Sequence, residues 1–79
     1  MQKLENLLHF LARSLVDEPE KVEVEGTETD SRVDLTLHVA QGDMGKVIGR
    51  GGRTVKAIRT VVKAASVKEN KRVNVEIAD

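Results

Sequence analysis

The residues of this sequence that could do chemistry are gathered in a glycine-rich turn. Three glycines occupy the four positions Gly49-Arg50-Gly51-Gly52. Because glycine has no Cβ, the backbone there can turn tightly and approach another molecule closely. A helical pattern begins directly after the turn, so the turn presents unpaired backbone N–H groups at the positive end of a helix. Basic side chains crowd the same stretch: Lys46, Arg50, Arg53 and Lys56. This combination predicts a site that binds phosphate.

The spacing of apolar residues predicts the elements that must position this turn. Leucines at a period of 3.6 residues predict a helix over 2–16, which ends before Pro19. Alternation of apolar and polar residues predicts strands at 21–25, 32–39 and 73–77, with a turn at 26–31. A short helix over 44–48, with Asp43 as its N-cap, precedes the glycine turn, and a long helix over 53–65 follows it.

The order of these elements predicts the topology. A strand, two helices and another strand form a crossover connection, which makes the second and third strands parallel neighbours. The first strand then pairs antiparallel with the other edge of the second strand. Because each strand has one apolar face, all three helices must cover that face. The predicted fold is α+β, of order α-β-β-α-α-β, with a three-stranded mixed sheet and three helices on one face.

The composition restricts the class of protein. A chain of 79 residues that is 39% hydrophobic and 33% charged is typical of one small globular domain. It has no cysteine, which excludes a disulfide framework, a thiolate nucleophile and a cysteine-based zinc site. We find neither an apolar run of membrane-spanning length nor the layout of a signal peptide, and we expect a cytoplasmic protein.

The formal net charge of zero hides a strong asymmetry along the chain. Residues 41–72 hold 9 basic and 2 acidic side chains, whereas residues 1–40 hold 4 basic and 9 acidic ones. An excess of positive charge that coincides with the glycine turn is typical of a surface that binds a polyanion.

The segment 46–59 resembles the core of the KH domain. The mark of that family is Ile-Gly-x-x-Gly between two helices, here Ile48 followed by the glycine turn. The order of elements resembles the type II, bacterial arrangement, and the resemblance implies a single KH domain over 1–79. In KH domains the turn clamps the backbone of about four nucleotides of single-stranded RNA. The resemblance implies RNA-binding roles for Lys46, Ile48, Gly49, Arg50, Gly51, Gly52, Arg53 and Lys56.

The same resemblance assigns a role to each position of the turn. Gly49 and Gly52 are the positions of close approach, Arg50 and Gly51 are the tip whose N–H groups face phosphate, and Ile48 lines the groove. The third glycine makes the tip more flexible than the family pattern requires. The one aromatic residue, Phe10, lies in the first helix, so base stacking has no obvious provider. We therefore expect modest affinity for RNA and low sequence specificity.

A free-standing KH domain of this size resembles the KhpA family of small bacterial RNA-binding proteins. That resemblance implies an RNA chaperone or post-transcriptional regulator, associated with cell shape, that acts as a homodimer. It also implies a heterodimer with a KhpB-type multidomain KH protein. We expect no cofactor, no metal and no membrane partner.

Several other interpretations compete with RNA binding. The glycine spacing matches neither G-x-G-x-x-G nor the Walker A pattern, and a plain turn between helices needs fewer glycines and no ring of cations. His9 and His38 lack partners at metal-ligand spacing, and the acids alternate along strands or fill turns, which argues against an enzyme.

The alternative function is a protein-interaction module in which the KH fold serves dimerisation. Val61, at the rim of the apolar stripe, and the edge strand 73–77 predict where a second copy would bind, because Glu76 is the only charged guard within that strand.

Overall fold

The structure is a computed structural model that describes residues 2–78, the side chain of Glu69 excepted. Within this part of the chain three α-helices and three strands follow one another in the predicted order. The helices are α1 (Gln2–Arg13), α2 (Met44–Ile48) and α3 (Arg53–Ala65), and the strands are β1 (Glu23–Glu28), β2 (Arg32–His38) and β3 (Arg72–Ile77). Short 3-10 turns precede β1, α2, α3 and β3. The predicted α+β fold is confirmed.

The three strands form one sheet in the order β1-β2-β3. β1 and β2 are antiparallel, whereas β2 and β3 are parallel, as the crossover through α2 and α3 requires. Leu35 of the central strand lies between Gly26 of β1 and Val75 of β3. The end of β2 leads into α2, and β3 runs in the same direction, so β3 also ends on the side of the sheet where the glycine turn lies.

A single apolar core lies between the sheet and the long helices. The inward side chains of the central strand, Val33, Leu35 and Leu37, are fully buried. Further core residues come from α1, α2, α3 and β3 and include Leu4, Leu8, Val47, Ile58, Val62, Val73 and Val75. Because α1 and α3 share this core, the start of α3, and the glycine turn before it, are held rigidly relative to the sheet.

Helix α1 is shorter than the sequence pattern predicts. It ends at Arg13 rather than Val16, because the chain tightens into a closing turn. The backbone N–H and the hydroxyl of Ser14 both donate to the carbonyl of Phe10, at 3.1 and 2.8 Å. The N–H of Leu15 then donates to Ala12 over three residues instead of four, at 3.0 Å, and Leu15 leaves the apolar stripe and is exposed.

Strand β1 begins later than predicted and runs through Gly26. The hairpin closes beyond it, where the N–H of Thr29 donates to the carbonyl of Arg32 at 2.8 Å. A Cβ on Gly26 would collide with the carboxyl end of Glu5 and lie 3.2 Å from a methyl group of Leu35. The glycine therefore marks the close approach of α1 to β1 and not a turn.

Candidate nucleic-acid interface

The glycine turn has a backbone that only glycine adopts without strain. α2 ends at Ile48, and Gly49 follows with φ 76° and ψ 170°, a region that is essentially restricted to glycine. Gly51 (φ 65°) and Gly52 (φ 79°) are both left-handed. All three glycines of the turn thus have positive φ, so the additional glycine at the tip is required by the conformation and does not merely add flexibility.

Packing restricts one of these glycines further. A Cβ on Gly49 would lie 2.7 Å from Cβ of Thr54 and 2.8 Å from its backbone nitrogen, and would also overlap its hydroxyl. At Gly51 and Gly52 a Cβ would meet open space. Thr54, which sequence reasoning did not single out, therefore supports the turn from the first turn of α3.

The tip of the turn offers two backbone donors. The N–H of Gly52 donates to the carbonyl of Gly49 at 3.1 Å, and that of Arg53 donates to Arg50. The N–H groups of Arg50 and Gly51 have no acceptor within residues 2–78, and both residues are exposed. They lie just before the N-terminus of α3, where the helix dipole adds positive potential. The tip is therefore suited to an anion.

Three of the four predicted basic side chains remain available around this tip. Arg50, Arg53 and Lys56 are exposed, and none of them forms a salt bridge in the described part of the chain. Arg53 and Lys56 lie on the first turn of α3, within reach of an anion bound at the tip. The structure thus brings these cations together with the two free amides.

Lys46 is engaged elsewhere. Its Nζ pairs with the carboxylate of Asp17 and lies 3.7 Å from Oδ1 of Asp43. The hydrogen bond to Asp17 raises the pKa of Lys46, so the ammonium group is firmly charged and already compensated. An incoming phosphate would have to compete with two carboxylates, and we expect Lys46 to contribute less to binding than Arg53 or Lys56.

Asp43 anchors the base of α2. Its side chain is buried, at 3% relative exposure, and accepts hydrogen bonds from the N–H groups of Asp17 (3.1 Å) and Glu18 (3.0 Å). The bond from Asp17 is the main cause of its lowered pKa. The predicted N-cap position of Asp43 is confirmed, although its carboxylate forms no capping hydrogen bond and instead accepts the bonds from Asp17 and Glu18. The sequence did hint at a special role for Asp43, since it is the only acidic residue within the basic segment 41–68.

Ile48 supplies an exposed apolar side chain beside the turn. It is the last residue of α2, directly before Gly49, whereas its neighbour Val47 is fully buried and holds α2 in the core. α2 and α3 pack against each other, so Ile48 has a fixed position relative to the tip. The predicted lining of a groove by Ile48 is compatible with its exposure.

Arg59 guards the edge of the sheet next to α3. Its Nε donates to the carbonyl of Val75 in β3 at 3.0 Å. Glu76 remains the only charged residue within 73–77, and Arg59 of α3 adds a second charged group at this edge. At 100° per residue, Arg59 lies about 60° beyond Val62 on one flank of α3, and Val61 lies about 60° beyond Ile58 on the other. The two halves of the predicted dimer interface thus lie on opposite flanks of α3.

The comparison with known proteins identifies the family. The family model described as "KhpA/KhpB, KH domain" matches residues 5–77. The chain belongs to this KhpA/KhpB KH-domain family. RNA-binding protein KhpA of Clostridium acetobutylicum is 57% identical over 74 residues, which cover 94% of this chain and 99% of that protein. RNA-binding protein KhpA of Bacillus subtilis is 49% identical over 78 residues, which cover 99% of this chain and 96% of that protein.

Solved structures show the same fold within a larger protein. Era of Aquifex aeolicus superposes with a TM-score of 0.69 at 16% identity, over 95% of this chain and 29% of the Era chain. A structure of Era in complex with MgGDPNP and nucleotides 1506–1542 of 16S ribosomal RNA matches with a TM-score of 0.69 over 94% of this chain and 28% of that chain. At such low identity the likeness concerns the fold alone.

In this KhpA/KhpB KH domain a second basic cleft lies at the opposite end of α3 from the turn. The cleft has a volume of about 770 Å³ and lies where β2 and β3 begin. Much of its charge is compensated, because Arg32 binds both carboxylate oxygens of Asp34 (2.8 and 2.9 Å) and Lys71 pairs with Glu28. The cleft is therefore less suited to bind phosphate than the glycine turn is.

The two histidines have ordinary structural partners. Nε2 of His9 lies 3.1 Å from the carbonyl of Val22, and His38 pairs with Glu25 on the neighbouring strand. Among the described residues no group of three or more His, Cys, Asp or Glu side chains could hold a metal ion. We also find no described helix long and apolar enough to cross a membrane.

Proposed function

We propose that this protein binds single-stranded RNA by clamping its sugar–phosphate backbone at the glycine turn, and that residues 1–79 act as a single KH domain. The observation that carries this proposal is the pair of free N–H groups at Arg50 and Gly51, surrounded by exposed cations at the N-terminus of α3. The two relatives described above are named RNA-binding proteins, which supports the same function.

The proposed site separates positioning from recognition. The two tip amides and the side chains of Arg50, Arg53 and Lys56 would hold phosphates, which carry no sequence information. Ile48 would contact bases through its apolar side chain. Because the chain has no Trp or Tyr and its single Phe, Phe10, lies in α1, we propose low sequence specificity. Such a site suits an RNA chaperone or post-transcriptional regulator that acts in the cytoplasm, without catalysis and without a cofactor.

We further propose that the protein forms a homodimer through its helical layer. α1 and α3 pack against each other, and each exposes a large apolar side chain, Phe10 at 59% and Val61 at 44% relative exposure. A partner that covered both would remove this surface from water. Two linked clamps would also hold one RNA more tightly than a single clamp. The same surface could accept the KH domain of a KhpB-type protein, which makes a heterodimer a variant of this proposal.

A double substitution at the tip tests the clamp. Arg50→Asp with Gly51→Asp places two carboxylates where phosphate is proposed to bind, and aspartate tolerates the left-handed backbone at position 51 better than most residues. We expect binding of a labelled single-stranded RNA, followed by fluorescence anisotropy, to weaken by about a hundredfold, since like charges repel within the Debye length. Arg50→Ala with Gly51→Asn, which removes the cation without adding acid, should give an intermediate loss.

The fold must survive for this result to count. Both positions are exposed and lie outside the core, so circular dichroism and the melting temperature should be those of the unchanged protein. Full RNA affinity in the doubly acidic variant would refute the clamp.

Light scattering tests the dimer. The chain has a mass of 8.7 kDa, and we expect a particle of twice that mass at micromolar concentration. Val61→Asp should give monomers, whereas Val67→Asp should not, because Val67 lies beyond the end of α3 and is not part of the proposed interface of Phe10 and Val61. A monomeric unchanged protein would refute the dimer and leave the RNA clamp standing.

A further inference from the structure

One basic side chain of α3 is held in place by the sheet. Nε of Arg59 donates to the carbonyl of Val75 at 3.0 Å, in a partly buried hydrogen bond. The side chain as a whole is nevertheless exposed, and its two terminal nitrogens have no partner among the described residues 2–78. The guanidinium plane is thus fixed at one end and accessible at the other. Arg53 and Lys56 have no such tether.

Arg59 also stands at a suitable distance from the turn. It follows Gly52 by seven positions, which corresponds to about 10 Å along α3. The bond to Val75 places Arg59 against β3, about two turns of α3 away from the glycine turn, and β3 itself ends on the side of the sheet where that turn lies. Even at the spacing of a stacked strand, about 3.4 Å per nucleotide, three nucleotide steps cover about 10 Å. A strand clamped at the turn can therefore bring a base to Arg59.

We propose that Arg59 is the base-stacking residue of the RNA site. Its guanidinium plane would receive the face of a base whose strand is held at the glycine turn, so the inference rests on the function proposed above. Unstacked bases of single-stranded RNA stack on aromatic side chains or on arginine planes, and this chain has no Trp or Tyr and a single Phe, Phe10, which lies in α1. The hydrogen bond to Val75 orients the plane before RNA arrives, which reduces the side-chain entropy lost on binding.

Two other roles for Arg59 make different predictions. A phosphate contact would keep the charge-dependent part of its affinity with lysine and lose only a bidentate fork, and removal of a base from the RNA would not change it. A guard of the sheet edge would affect the fold or the oligomeric state and not RNA binding. A stacking residue depends on the planar group, so lysine keeps the charge and loses the function.

The protein side of the test uses three variants of the full chain and a labelled oligouridine of about eight nucleotides, longer than the span of about four that a KH clamp covers. Arg59→Lys should bind about tenfold more weakly, which corresponds to about 1.4 kcal/mol, with an unchanged slope of log affinity against log salt. Arg59→Met should lose the same stacking and also lower the salt slope. Lys63→Met is the control one turn further along the same flank, and it removes a positive charge but no planar group. It should change affinity by no more than about twofold, since the lost charge is screened by salt.

The RNA side of the test removes bases one at a time. In the unchanged protein, an abasic nucleotide at one position should weaken binding about tenfold. With Arg59→Lys the same abasic position should cause no further loss, because the partner of that base is already missing. This coupling is a readout that a purely structural role of Arg59 would not produce.

Two outcomes would overturn the inference. Affinity of Arg59→Lys equal to that of the unchanged protein would make Arg59 a phosphate contact or an edge guard. Stacking would also be excluded if, at every abasic position, the loss of binding free energy simply added to the loss caused by Arg59→Lys. Either result leaves the doubly acidic tip variant defective, whereas failure of the RNA clamp itself would leave that variant fully active. Melting temperatures identify any variant that weakens the fold, and Arg59→Met then serves as the second measurement.

Discussion

The glycines of the turn should differ sharply in their tolerance of alanine. Gly49 combines a positive φ of 76° with ψ 170° and direct contact with Thr54. Gly51 and Gly52 also have positive φ, but a Cβ on either would meet open space. The family resemblance groups Gly49 with Gly52 as positions of close approach, whereas the structure ranks Gly49 alone as the one that cannot be replaced.

The expected magnitudes follow from these two differences. Alanine at Gly51 or Gly52 is strained only by the left-handed region, which costs about 1–2 kcal/mol. Alanine at Gly49 enters a region reserved for glycine, at about 1–3 kcal/mol, and its Cβ would lie 2.8 Å from the backbone nitrogen of Thr54. No rotation of the Thr54 side chain relieves that second contact. The start of α3 must therefore shift, and the tip amides shift with it.

Thermal unfolding and RNA binding measured on the same samples would test this ranking. We expect Gly51→Ala and Gly52→Ala to lower the melting temperature by roughly 5–10 °C and to keep most RNA affinity below it. Gly49→Ala should be the least stable of the three and should lose RNA binding even at temperatures where it is folded. Gly51→Asn is the matched control, since asparagine adopts the left-handed region readily. Equal stability and equal affinity for Gly49→Ala and Gly51→Ala would refute the argument.

Three further results are expected. Neutralising Arg53 or Lys56 should weaken binding to all single-stranded sequences alike and lower the slope of log affinity against log salt by about 0.7 per lost contact; a changed base preference with an unchanged slope would contradict this. The pKa of Asp43 is lowered in the folded state, so its stabilising effect is present above the ordinary carboxyl range and is lost as pH falls through the folded pKa. Asp43→Asn should therefore flatten the acid limb of a curve of unfolding free energy against pH. An unchanged acid limb would exclude this role. Leu35→Ala, at a fully buried position of the central strand, should cost about 2–5 kcal/mol of unfolding free energy in urea, and a smaller loss would show that the core collapses around the cavity.

Local pattern was sufficient for the elements and their topology. The alternation along β2 and the period of 3.6 in α3 appear directly in the structure, because each element must place its apolar residues on the buried face. The parallel pairing of β2 with β3 follows from the handedness of crossover connections and needs no knowledge of individual contacts. The glycine turn is equally local, since positive φ at consecutive positions leaves few residues other than glycine.

Contacts between residues distant in sequence were decided by the tertiary structure. Lys46 looks like a free cation beside the turn, but folding brings the distant Asp17 to it and compensates its charge. Arg59 looks like any basic residue of α3, until β3 offers it the carbonyl of Val75.

The physical reason is that burial patterns are set by residues close in sequence, whereas charge pairs form between residues that are far apart in sequence. Periodicity reports which face of an element is buried, a property that the neighbouring residues of that element determine together. Which charge meets which depends on the positions of elements that are packed against each other only after the core has formed. The sequence by itself therefore determined the fold and the position of the glycine turn, while only the tertiary structure decided which cations remain unpaired beside it.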